Sequence, residues 1–166
     1  SRFKSAEAND SWGWTDSDTA KEYAIIGLDD GTGFVDISDP INPVYLGKLP
    51  TATASSSWRD IKVYKNHAYI VSEAKEHGVQ IFDLTKLRGL ESEQKFTSDG
   101  VLNTVNTAHN IFINEESGFG YVVGTNRENE YEGGVYFLDL ADPLNPVVVG
   151  GYGEQGYTHD AQVVNY

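Results

Sequence analysis

Three dipeptides in this chain carry side chains that can coordinate a metal, bind a ligand or move a proton, and they recur at one interval. Arg59-Asp60, His109-Asn110 and His159-Asp160 stand fifty residues apart and open the segments Arg59-Asp60-Ile61-Lys62-Val63, His109-Asn110-Ile111-Phe112-Ile113 and His159-Asp160-Ala161-Gln162-Val163. Two neutral imidazoles and a carboxylate suit Zn²⁺ or another first-row divalent ion. His109, His159 and Asp160 are therefore the candidate metal ligands. An arginine beside them suits an anionic group, so the wider candidate ligand site is Arg59, Asp60, His109, Asn110, His159 and Asp160. The competing reading is that these polar groups satisfy one another and the backbone where strands converge.

Other chemistry has less support. Asp16-Ser17-Asp18 resembles the start of a calcium loop, but the D-x-[DN]-x-[DN]-G spacing is not met, and a hairpin turn explains it better. The Asp39 and Asp142 turns have the same two readings, with backbone preference favoured over Ca²⁺. The cofactor is thus open, with Ca²⁺ and Zn²⁺ as candidates. The chain has no cysteine and no G-x-S-x-G elbow, and no helix is expected after Gly31-Thr32-Gly33 to complete a nucleotide site, so no catalytic residue is assigned. His67 and His77 are isolated in sequence and expected at the surface. The acidic stretch Asn126–Gly134 is longer than the matching turns and is a candidate recognition loop.

The elements that must hold these residues are strands. Side chains alternate along a strand, so Arg59, Ile61 and Val63 share one face, as do His109, Ile111 and Ile113. The polar residue comes first each time, which predicts a polar ring at one mouth of a channel. A second repeat supports this register. Phe34–Gly47 (FVDISDPINPVYLG) and Phe137–Gly150 (FLDLADPLNPVVVG) share an Asp-Pro-x-Asn-Pro turn between apolar runs, and Val79–Leu84 is a worn middle copy. Strands are predicted at Trp12–Thr15, Glu22–Leu28, Phe34–Ile37 and Val44–Leu49. They follow at Ser57–Tyr64, His67–Ser72, Gly78–Asp83 and a weak Gln94–Phe96, then at His109–Asn114, Phe119–Gly124, Gly134–Asp139 and Val147–Tyr152.

Four short strands recurring every forty to fifty residues are the pattern of an all-β β-propeller. The predicted organisation is an N-terminal segment 1–10, blades at 11–56, 57–107 and 108–157, and the first strand of a fourth at 158–166. A propeller closes with about four to eight blades. The chain is therefore expected to be part of a larger propeller, or to have its open blade faces covered by another chain.

Charge narrows the partners. A formal net charge of −13 repels nucleic acid and anionic membranes. No apolar run approaches the ~18 residues of a membrane span.

Together, the Trp58-Arg59-Asp60-Ile61, Ala108-His109-Asn110-Ile111 and Tyr157-Thr158-His159-Asp160-Ala161-Gln162 motifs and the Asp-Ile-Ser-Asp-Pro-x-Asn-Pro repeat resemble LVIVD-repeat proteins, and more closely their choice-of-anchor B group. The resemblance covers about residues 11–166. It implies a secreted or cell-surface β-propeller, usually anchored by a separate C-terminal signal, and carries no catalytic residues with it. The expected function is a non-catalytic interaction or scaffold module engaging protein or glycan at the cell surface. The alternative is a metal-dependent, lactonase-like propeller hydrolase using a central His/Asp site.

Overall fold

A computed structural model describes residues 3–166 as an all-β molecule, with one 3₁₀ turn and no α-helix among the described residues. Its strands are β1 (Ala8–Thr15), β2 (Glu22–Leu28), β3 (Gly31–Asp36), β4 (Val44–Pro50), β5 (Arg59–Tyr64), β6 (His67–Ser72), β7 (Val79–Asp83), β8 (Gln94–Lys95), β9 (Gly100–Leu102), β10 (Asn110–Asn114), β11 (Phe119–Val123), β12 (Val135–Asp139) and β13 (Val147–Tyr152). They form three sheets, ordered β1-β2-β3-β4-β8, β5-β6-β7-β9 and β10-β11-β12-β13. All neighbours are antiparallel except β4 and β8.

Packing explains why β6 and β7 are apolar on both faces. Ala68, Ile70 and Phe82 of the second sheet pack with Ile25, Phe34 and Leu46 of the first. The intervening Tyr69, Val71 and Ile81 pack with Ile111, Val122 and Leu138 of the third. The period-two alternation thus sends successive side chains into two different cores. Each fully buried Ile, Leu or Phe contributes about 1.5–3 kcal/mol of burial. The first strands of the sheets lie side by side, with β5 between β1 and β10.

The twin turns are congruent. Asp39 accepts from the Ile41 amide at 3.0 Å and from Asn42 Nδ2 at 2.8 Å. Asp142 accepts from the Leu144 amide at 3.1 Å and from Asn145 Nδ2 at 2.9 Å. In both, hydrogen bonds from the asparagine and the backbone hold the carboxyl below its ordinary pKa. The turns use their acidic groups to fix the backbone.

Three expectations are corrected. First, β1 begins at Ala8, so the segment assigned to residues 1–10 includes the start of the first sheet. Second, Gln94–Lys95 does not complete the second sheet. It pairs in parallel with Gly47 and Lys48 at the edge of the first, and Gly100–Leu102 takes the fourth place in the second. The cause is Phe96, whose ring packs edge-on against Phe34 at 5.4 Å and against Phe82 at 5.2 Å, pinning the segment across the join. Third, residues 158–166 contain no assigned strand. They run beside β10, held by the Gly124 amide donating to Thr158 O at 2.6 Å and by Asn114 Nδ2 donating to Asn165 Oδ1 at 2.6 Å. These contacts order the segment without a backbone ladder.

Candidate functional site

The six expected site residues divide into three environments. Asp60 and Asn110 tie neighbouring first strands together. Asp60 Oδ2 accepts from the Ile111 amide at 2.8 Å. Asn110 Nδ2 donates to Asp160 Oδ1 and, at 3.4 Å, to the His159 carbonyl. A member of this series not anticipated as a site residue is Asp10, whose Oδ2 accepts from the Ile61 amide at 3.1 Å. Positions 10, 60, 110 and 160 are separated by fifty residues each, and each of the first three reaches forward to the next segment. The sequence signal was Asn9-Asp10 standing one period before Arg59-Asp60. It is masked by a polar, bulged stretch of β1 between Ala8 and Ser11.

Trp12, Lys62, Phe112 and Gln162 line a shared cleft of about 230 Å³, with Val63 and Ile113 from the alternate positions beside them. These positions also follow the fifty-residue period. Lys62 Nζ lies 2.6 Å from Asp60 Oδ1 and 4.5 Å from the Trp12 ring centre. Burial raises the Asp60 carboxyl above its ordinary pKa and the adjacent Asp10 carboxyl adds to this, while the Ile111 amide and Lys62 act against it.

Arg59 is fully buried and presents no charge at the surface. Its Nε donates to Leu28 O at 2.9 Å, Nη2 to Thr51 Oγ1 at 2.9 Å, and Nη1 to His77 Nε2 at 2.8 Å. The expectation that Arg59 holds an anionic ligand is corrected by this placement, since its guanidinium is spent on three neutral acceptors between the first two sheets. Burial lowers its pKa to about 10, against the pull of Asp30 and Asp29, so the guanidinium stays charged at neutral pH.

His77 is likewise buried, not at the surface. Because an arginine has no acceptor, His77 Nε2 must accept and Nδ1 carries the proton donated to Gly78 O at 3.0 Å. Burial, reinforced by Arg59, pushes its pKa down to about 4. His67 lies outside this region, with Nδ1 donating to Lys65 O at 2.6 Å.

His109 and His159 do come together. Their ring centres are 4.2 Å apart, and Trp58 lies 5.2 Å from His109. His109 Nδ1 donates to Glu73 Oε1 at 2.6 Å, and His159 Nδ1 donates to Asp160 Oδ2 at 2.8 Å. Trp58 is 47% exposed, and Tyr157 continues the row at 6.4 Å from His159 with Arg127 over its ring. Glycine is required behind this ledge: Gly124 has φ 66°, and a Cβ there would meet His109 Cβ at 2.2 Å. Among the described residues, no group of three or more His, Cys, Asp or Glu side chains is arranged to hold a metal. His109, His159 and Asp160 do not form a three-ligand set, because Asp160 is turned to His159 Nδ1 and Asn110.

The possible calcium loop is occupied by protein charge. Asp16 is buried, with Arg88 Nε donating to Oδ2 at 2.8 Å and Nη2 to Oδ1 at 2.7 Å. Arg88 Nη2 also donates to Asp18 at 2.8 Å. The Arg88 fork is the main reason the Asp16 carboxyl sits down at about 2. The acidic stretch at 126–134 folds on itself, with Asn129 Oδ1 accepting from the Tyr131 and Gly133 amides at 2.8 and 3.2 Å.

No family model matches the chain, and no curated protein sequence matches it.

Proposed function

We propose that this chain forms part of a β-propeller serving as a non-catalytic interaction or scaffold module of a secreted or surface-attached protein. In this reading the three sheets are blades, and residues 158–166 stand where the first strand of the next would lie. Support comes from the forward ties: Asp10 and Asp60 make the same carboxylate-to-amide contact with the next first strand, which relates successive sheets by a repeated rotation, and Asn110 reaches the following segment through Asp160. A shared cleft lined by all four first-strand segments agrees with a channel wall. Further blades or another chain would cover the open faces of the first and third sheets. The resemblance to LVIVD-repeat and choice-of-anchor B proteins favours the extracellular setting.

The interaction reading rests on the ledge of Trp58, His109 and His159, an exposed tryptophan beside two packed imidazoles at the ends of the first strands. Such a surface offers rigid apolar area with polar edges, suited to a protein or glycan partner. Glycan arrays and displayed surface-protein libraries, probed with wild type and Trp58→Ala, test it. Retained targets that weaken at least tenfold in the variant support the ledge as the binding surface. Identical profiles for the two proteins reject it. The alternative hydrolase reading draws on the same histidine pair, and turnover of lactone or ester substrates that disappears in His159→Ala would favour it.

A further inference from the structure

We infer that His109 and His159 form a two-imidazole site for a late first-row divalent cation of the Zn²⁺ or Cu²⁺ type. The inference goes beyond the interaction reading and does not depend on it. It begins with tautomers. A carboxylate can only accept, so Glu73 fixes the proton of neutral His109 on Nδ1, and Asp160 does the same for His159. Both Nε2 atoms then present lone pairs, and among the described residues neither has a hydrogen-bond partner. A carboxylate on the far ring nitrogen is the support that orients metal-binding histidines and raises their basicity. Here it occurs on two adjacent rings.

An ion about 2.0–2.1 Å from each Nε2 in tetrahedral geometry sets the ring centres roughly 5 Å apart, against 4.2 Å in this structure. The rings therefore part by about 1 Å to admit it. His159 can make this movement, being more than half exposed on a segment without a strand ladder. Two protein ligands leave the remaining positions to water or to a donor from whatever the ledge binds. Neutral imidazole selects late first-row ions over Mg²⁺ and Ca²⁺.

Isothermal titration of the 166-residue chain with Zn²⁺ alone tests the site. One equivalent is expected to bind wild type and the His67→Ala control. It should be lost in His159→Ala, where the exposed side chain leaves folding intact, and Glu73→Gln should weaken it about 10–100-fold. Cu²⁺ titration followed by electron paramagnetic resonance supplies a second readout, with coupling to two imidazole nitrogens in wild type and to one in His159→Ala. No Zn²⁺ binding by wild type, or binding unchanged in His159→Ala, overturns the inference. A Trp58→Ala protein that loses partner binding yet retains Zn²⁺ separates the two proposals.

Discussion

At the residue scale, buried polar groups are used in two distinct ways. Asp60 serves as an acceptor for the Ile111 amide in a place that disfavours its charge. Asp60→Asn, which keeps an acceptor, should stay within about 1 kcal/mol of wild type, whereas Asp60→Ala should lose about 1–3 kcal/mol by stranding the amide and Lys62. Urea unfolding distinguishes them, and equal losses would show that the charge, not the acceptor, matters. His77 is used for its neutrality. Its folded pKa of about 4 lies below the ordinary 6.5. The unfolded chain therefore binds the proton more readily, and the contribution is present above pH 6.5 and lost as pH falls toward 4. The full effect is about 3 kcal/mol, read as the difference in pH dependence between wild type and His77→Gln. Parallel stability profiles would refute it. Asp16 acts lower still: with its carboxyl held at about 2, its contribution fades only as pH falls from near 4 toward 2. Arg88→Met should lower the urea midpoint at neutral pH and flatten that acid limb. An unchanged midpoint would mean that the Arg88 fork adds no stability.

At the element scale, the exchange of edge strands is the main departure from the repeat. Gly47 has φ 127°, and a Cβ there would sit 2.1 Å from Gln94 O. Gly47→Ala should therefore release β8, seen as faster hydrogen exchange at the Phe96 amide, which donates to Lys48 O, with β5–β7 still protected. Retained protection at that amide would argue that the Phe96 ring alone holds the segment. The longer strands could be read from short apolar runs, alternating or continuous, bounded by turn residues. The β8 exchange could not, since two residues carry no period and their place is decided by the distant rings Phe34 and Phe82. The same distinction runs through the site. The approach of His109 to His159 followed from their fifty-residue spacing. The burial of Arg59 did not, because it depends on Thr51 and His77 from other elements, and the alternation rule alone does not say which face of a strand is covered.

At the scale of the whole molecule, the middle sheet is covered on both faces while the third leaves Val147, Val149 and Leu144 exposed. This apolar face and a net charge of −13 oppose each other in association. Sedimentation velocity on the 166-residue chain should show concentration-dependent association that strengthens with salt, as repulsion is screened. The Val147→Lys/Val149→Lys double variant should remain monomeric. A wild type monomeric at every salt concentration would contradict this. The forward ties have a separate consequence. The marks Asp36, Asp83 and Asp139 drift within their units, and loop lengths differ, yet positions 10, 60, 110 and 160 keep one interval. The middle unit carries both halves of the junction, since Asp60 accepts from the Ile111 amide of its successor and its own Ile61 amide is claimed by Asp10. A gene duplication spanning one such interval therefore delivers a copy already equipped to join at either end, so the array can lengthen without inventing a new junction.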